Sequence, residues 1–507
     1  MTTATTTADD TNRYRPDPSV LTALKSPRLL TREALAGLVV ALALIPEAIS
    51  FSIIAGVDPK VGLFSSFIMA VTIAFVGGRP AMITAATGAI ALVIAPVARD
   101  YGMDYFIATV LLAGVLQIVL AVCGVAKLMR FIPRSVMVGF VNALAILIFT
   151  AQLPQLIGVP WMVYPLVAVG LLIMVFMPKI TKVVPAPLVS IIIVTAAVIV
   201  FAIHVPTVGD QGELPRSLPE LFIPNVPLTF ETLSIIAPYA LAMALVGLME
   251  SLMTAKLVDD VTDTHSNKTR ESWGQGVANV ASGLFGGMGG CAMIGQTMIN
   301  VKASGARTRI STFLAGVFLL ILIVALGDVV AVIPMAALVA VMIMVSVGTF
   351  DWHSIRPSTL KRMPKSETTV MVITVAVVVA THNLAIGVVV GVFVASVMFV
   401  RRVAHLIEVN REIVDDHGIE TARYTVEGQL LFASSNDLTT LFEYTDDPDR
   451  VVIDLTRSHI WDASTVAALD AIVTKYEQRA KQVEIVGMND YTTAFHSRLS
   501  GGLGAGH

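Results

Sequence analysis

The stretch whose reading decides the fold is residues 278–309, ANVASGLFGGMGGCAMIGQTMINVKASGARTR. Between Gly290 and Lys302 lie 11 uncharged residues, enough for about half a bilayer at ~1.5 Å of helical rise per residue. Such a segment cannot cross alone. The run Gly283–Gly290 before it, GLFGGMGG, frees the backbone and lets helices approach closely. It looks like a phosphate-cradling loop, but no Gly-Lys-Ser/Thr follows, so an ATP-driven pump or membrane enzyme lacks support. A second short segment, Met82–Ala98, opens with the small residues Thr84–Ala89, TAATGA. Paired short or glycine-interrupted segments point to two broken helices whose N-termini, each worth about +0.5 charge, face a bound anion. The alternative is a re-entrant loop that only packs.

The surrounding chain is a membrane body with soluble ends. Of 507 residues, 55% are hydrophobic and only 14% charged, against roughly a quarter in soluble domains; mean hydropathy is +0.78. Residues 34–400 hold 35 charged side chains and the other 140 residues hold 36. The net charge of −3, without a basic patch, gives nucleic-acid binding no electrostatic basis. Cys123 and Cys291 lie in apolar sequence and suit neither a disulfide framework nor a zinc site, so no metal or cofactor is expected.

Apolar stretches follow one another from residue 33 with short breaks as 14 segments: 33–55, 61–78, 82–98, 105–125, 132–154, 161–178, 186–205, 229–256, 270–288, 291–302, 311–327, 331–350, 366–381 and 384–400. With the Thr-rich N-terminus (1–32) flexible and inside, the inner loops carry 18 Lys and Arg, from Arg79 to Arg402. The outer loops carry three, Lys60, Arg99 and Arg216. That asymmetry places both termini in the cytosol. The Pro-rich connection 206–228 divides the body (33–402) into halves 33–205 and 229–402, each of seven segments. An odd number per half gives opposite orientations, the plan of an inverted repeat.

Two carboxylates sit inside apolar spans: Glu47, after the helix-bending Pro46 in LALIPEAISFSIIAG, and Glu250 in LVGLMESLMTAK, with Thr254 one turn on. An ionisable residue in hydrocarbon costs at least ~2.5 kcal/mol and usually marks an ion path. The alternative is a neutral carboxyl that only packs. Two helix ends supply roughly one positive charge and two ionised carboxylates two negative ones. An anion is then repelled unless a proton, or Na⁺ beside Glu250 and Thr254, arrives with it, and that dependence is what symport requires.

Residues 46–67 (PEAISFSIIAGVDPKVGLFSSF), 131–149 (FIPRSVMVGFVNALAILIF) and 278–309 resemble the bacterial sulfate permease (SulP) family, or solute carrier family 26. Residues 451–465, VVIDLTRSHIWDAST, are similar to the STAS domain that family carries, expected over 421–500. The resemblance implies a 14-helix body in 7+7 inverted repeats. Segments 1–4 and 8–11 would form a mobile core, and 5–7 and 12–14 a gate, in a homodimer with an elevator-like cycle. Carried over by motif, the substrate site would be lined by Phe51, Thr87, Gly88, Gln296 and Thr297, with ion coupling at Glu47, Glu250 and Thr254. Animal members carry arginine where Thr297 stands, and its absence favours coupling to a cation. Related STAS regulators read Asp-Ser-Ser-Gly where this chain has Asp462, Ala463, Ser464 and Thr465, a departure that weakens Ser464 as a phosphorylation site.

The expected function is proton-coupled symport of a small anion (a dicarboxylate, sulfate or bicarbonate) across a bacterial cytoplasmic (inner) membrane, in contact with lipid. The alternatives are Na⁺-coupled bicarbonate symport, an anion channel and a nucleobase permease. The block 278–309 argues against the last.

Overall fold

The computed structural model describes residues 19–499 except 125–126, 128–131, 181–184, 216, 405–406 and 417. The expected loop cations Arg130, Lys182 and Arg216 lie outside the described residues. The first half of the body comprises α1 (Val20–Lys25), α2 (Pro27–Ala55), α3 (Pro59–Val76), β1 (Thr84–Ala85), α4 (Gly88–Val122), α5 (Arg134–Gln152), α6 (Val163–Ile180) and α7 (Ala186–Val200). The second comprises α8 (Phe230–Thr262), α9 (Lys268–Leu284), β2 (Cys291–Ala292), α10 (Ile294–Met298), α11 (Arg309–Ala325), α12 (Gly327–Ala331), α13 (Met335–Thr349), α14 (Pro357–Arg362), α15 (Lys365–Thr381) and α16 (Leu384–Ala404).

Seven of these, α2 to α6, α8 and α16, are long and apolar enough to cross a membrane, and α7, α11 and α13 are shorter apolar helices. Residues 20–32, expected to belong to a flexible terminus, are largely helical, because Ser19 caps α1 and Pro27 opens α2. Segments 3 and 4 merge into α4, broken where Gly102 takes φ 83°. Segment 9 stops at Leu284, since Gly286 (φ 70°) and Gly289 (φ 69°) turn the chain.

Helix packing within the body sorts into two bundles. In one, α4 lies against α8 and α9, α11 against α2 and α3, and α3 against α9. In the other, α13 packs on α5, α6 and α7, and α15 on α5. The bundles meet where α13 and α7 reach α2 and where α5 reaches α4. This is the core-and-gate division expected, and both broken segments fall in the core.

Many charges near the helix ends hold backbone groups there. Arg270 and Arg309 donate to the carbonyls of Phe75, Val76, Ala74 and Gly77 at the end of α3, where a cation also suits the helix dipole. The buried Glu271 carboxylate accepts the N–H groups of Gly78 (2.7 Å) and Arg79 (2.9 Å). Glu33, fully buried, accepts those of Arg307 (2.8 Å) and Thr308 (3.2 Å) at the start of α11.

The chain separates into two compact units, Met1–Val392 and Phe393–His507. The second contains a four-stranded sheet in the order β3 (Glu408–Asp416), β4 (Ile419–Leu430), β5 (Arg450–Ile460), β6 (Gln482–Val486), with β3 antiparallel and the rest parallel. Helices α17 (Phe432–Leu438), α18 (Ala463–Glu477) and α19 (Asp490–Leu499) accompany it. The sheet begins before the expected boundary at 421. Strand β4 carries a bulge between Thr425 and Glu427 and is followed by a helix whose first N–H, on Phe432, donates to Asp462. In the core Asp447 accepts the hydroxyls of Tyr424 (2.7 Å) and Tyr476 (2.5 Å) and pairs with Arg411 (2.7 Å).

Candidate functional site

Two-residue strands β1 and β2 pair antiparallel, Thr84 opposite Ala292 and Ala85 opposite Cys291. Each leads within three residues into a helix, so α4 and α10 start from one crossing and leave it towards Arg99 and Lys302 respectively. Helix α10 has five α-helical residues and continues as a π-helical turn, Ile299–Ala303, consistent with a segment too short to span. Gly290 permits the crossing, because a Cβ there would sit 1.9 Å from the Ala85 carbonyl oxygen.

The helix starts are open. Thr87 is the N-cap of α4, yet its hydroxyl makes no bond to the first turn, and the N-cap of α10, Met293, has no side chain that could. Elsewhere Thr229 and Thr308 cap their own helices with the same hydroxyl. Among the described residues, no acceptor meets the N–H groups of Gly88, Ala89 and Ile90 or of Ile294, Gly295 and Gln296. Thr87 is instead drawn to Cys291, its Oγ1 3.1 Å from Sγ.

Both carboxylates reach this crossing. Glu47 on α2 accepts from Nε2 of Gln296 on α10 at 2.6 Å. Glu250 on α8 accepts from the thiol of Cys291 at 2.9 Å. Each is 8% exposed, and among the described residues neither forms an ion pair. Phe51, a turn beyond Glu47, lies over Gly88, where an added Cβ would meet its ring at 2.8 Å.

Six of the eight expected residues therefore come together at the crossing with their side chains or backbone directed to it: Glu47, Phe51, Thr87, Gly88, Glu250 and Gln296. Two are placed differently. The Thr254 hydroxyl donates to the backbone carbonyl of Glu250 (2.8 Å) and lies 3.4 Å from that of Ala292, so it braces α8 against β2 and does not meet the carboxylate. The Thr297 hydroxyl accepts from the backbone N–H of Ile83 at 3.0 Å, which ties α10 to the residue just before β1. Sequence reasoning missed Cys291, which joins Glu250 to Thr87, and also Ser66 and Ser251, whose hydroxyls accept the N–H groups of Ala86 (3.2 Å) and Ala292 (3.0 Å). Its one signal was position, directly after Gly290.

Between the two bundles lies a cavity of about 640 Å³. Ser50, Leu92 and Tyr239 line it from the core, Gln152, Met335 and His382 from the gate side, and Arg99 from the end of α4's first half. Among the described residues no carboxylate lines it.

Comparison with known proteins follows the same lines. The model described as the sulfate permease family matches residues 30–169 and 161–374, and that of the STAS domain matches 410–496. The Bacillus subtilis (strain 168) protein YbaR, provisionally named a sulfate transporter, is 53% identical over 471 residues, covering 93% of this chain and 97% of its own. The bicarbonate transporter BicA of Picosynechococcus sp. is 27% identical over 505 residues, covering 89% and 87%. The fold is similar to that of murine Solute Carrier 26 family member A9, an anion transporter, with a TM-score of 0.78 at 17% identity over 94% of this chain and 88% of that one.

Proposed function

The chain belongs to the sulfate permease family of membrane anion transporters, and from that premise we propose that it is a proton-coupled symporter of a small anion. The carrying observation is that two helix N-termini, both uncapped, start from one strand pair that two buried carboxylates also reach. The open N–H groups of Gly88–Ile90 and Ile294–Gln296 would receive the anion. Ionised together, Glu47 and Glu250 outweigh the roughly one positive charge of the helix ends, so the anion binds well only when a proton has neutralised one of them.

Glu47 is the coupling group in this reading. Its partner Gln296 belongs to α10, so a change in its charge reaches the anion site directly. Phe51, Thr87, Gly88 and Gln296 hold the substrate, Thr297 and Thr254 keep the broken segments in register, and Glu250 sets the polarity of the crossing. A core bundle that slides against the gate as an elevator would carry the site across the membrane. The Lys- and Arg-rich alternate loops support cytosolic termini, and the chain would work as a homodimer among the lipids of a bacterial inner membrane.

Sulfate is the first candidate because the relative at 53% identity bears that name; dicarboxylates and bicarbonate follow, the latter named for BicA. A Na⁺ site at Glu250 and Thr254 has weaker support, since the hydroxyl faces backbone carbonyls and the carboxylate takes the Cys291 thiol. The test is uptake of radiolabelled sulfate, fumarate and bicarbonate into proteoliposomes, with pH and Na⁺ gradients imposed separately. Uptake accelerated by an inward proton gradient supports the reading. Acceleration by Na⁺ alone, or large uncoupled currents, contradicts it.

A further inference from the structure

We propose that Glu250, Cys291 and Thr87 form a hydrogen-bond chain of reversible direction, which decides whether Thr87 offers a proton to the bound anion or withholds it. The inference rests on the anion site proposed above at the start of α4. The three residues come from α8, β2 and the α4 N-cap. Sγ of Cys291 lies 2.9 Å from Glu250 Oε2 and 3.1 Å from Thr87 Oγ1, and in the second contact either atom can be the donor. Cys291 is wholly buried and Thr87 is 3% exposed, so water does not compete for these bonds.

A thiol has one hydrogen, and that fixes the logic. With Glu250 ionised, the carboxylate only accepts, so the Cys291 hydrogen points to it. The sulfur is then left with lone pairs towards Thr87, whose hydroxyl hydrogen turns to the sulfur and away from the α4 N-terminus. A proton added to Glu250 reverses the order. The carboxylic acid donates to the sulfur, the thiol donates to Thr87 Oγ1, and the Thr87 hydroxyl hydrogen is released towards the open N–H groups of Gly88–Ile90. Apart from the proton taken up by Glu250, every hydrogen stays on its own heavy atom and no covalent bond changes. Thr87, which does not cap α4, thus becomes a fourth donor to an anion there.

Charged groups on the packed elements leave this chain to itself. On α8, Glu231 and the group Lys256, Asp259 and Asp260 lie toward the ends; on α4, Arg99, Asp100 and Asp104 lie a turn or more beyond the site; on α9, Lys268, Arg270 and Glu271 form the first turn. Asp259 pairs with Arg79 and Lys268, and Glu47 is engaged by Gln296. Cys291 is therefore a positioning residue acting through Thr87.

Two measurements test this. In full-length Cys123→Ser protein Cys291 is the sole thiol, and its S–H stretching band in infrared spectra reports the acceptor without any anion present. The band should shift as pH crosses the titration of Glu250 and stay fixed in the Glu250→Gln variant. Separately, sulfate, fumarate and bicarbonate affinities are measured against pH for wild type, Cys291→Ser and Cys291→Ala. Serine preserves a donor and an acceptor and should keep the wild-type profile; alanine should lose the part of the profile owed to Glu250, keep the part owed to Glu47, and weaken binding about 2- to 10-fold, the range of one hydrogen bond. An immobile band, or a wild-type profile in Cys291→Ala, overturns the proposal. A shifting band in a protein that binds none of the three anions supports the switch and refutes the transport reading.

Discussion

Nε2 of Gln296 donates to the Glu47 carboxylate at 2.6 Å, joining the first span of one repeat to the broken segment of the other. In the coupling role proposed for Glu47, protonation removes a charge next to the start of α10 while the amide keeps an oxygen to donate to. Glu47→Gln reproduces the neutral state and retains that acceptor once its amide is turned. Anion affinity should stay within about threefold of that of the protonated wild type, since one hydrogen bond is conserved, and acceleration of uptake by an inward proton gradient should vanish. Uptake against external pH in the two proteins checks this.

Gly290→Ala should prevent assembly of the crossing. The new methyl group would meet the Ala85 carbonyl oxygen at 1.9 Å, and this neighbour is backbone that cannot turn aside. A cost of about 3 kcal/mol or more is expected for such overpacking, seen as loss of monodisperse protein in size-exclusion chromatography. Gly295→Ala is the matched control, with nothing within 4 Å of its Cβ, and should change stability by less than about 0.5 kcal/mol.

Glu33→Ala should lower the thermal unfolding midpoint without altering the pH response of transport. Its carboxylate caps α11 through Arg307 and Thr308 from outside that helix, and leaving those N–H groups unmet costs about 1 to 2 kcal/mol.

Much of the body was legible from residue types. Pro46 before Glu47 and the brevity of 290–302 each carry their meaning in one line of text. The crossing was legible only as an interruption, since strands of two residues have no period to read. Cys291 looked inert because its sequence neighbours are apolar; its partners Glu250 and Thr87 are supplied by other segments. The roles of Thr254 and Thr297 turned on which way a hydroxyl points, which spacing does not specify. In the C-terminal domain β3 escaped notice because EVNREIVDD carries charge on both faces of an edge strand, a pattern that protects an edge but hides its period.

The STAS domain should lose stability in base. Burial pushes Tyr444 from 10.0 up to about 12, and burial likewise raises Tyr424 and Tyr476. A phenol whose value is raised on folding contributes stability that is complete below pH 10.0 and is lost as pH climbs towards 12. Tyrosinate absorbance followed with far-ultraviolet circular dichroism should show ionisation of these rings delayed beyond that of exposed tyrosines and coincident with loss of the sheet.

The most direct test of the central claim is the movement of protons themselves. Proteoliposomes containing the full chain and a trapped pH indicator are given an inward sulfate gradient at equal pH on both sides, with the membrane potential clamped. Coupled entry predicts acidification of the lumen that tracks sulfate uptake and disappears in Glu47→Gln. Sulfate entry with an unchanged lumenal pH in the wild-type protein would contradict it.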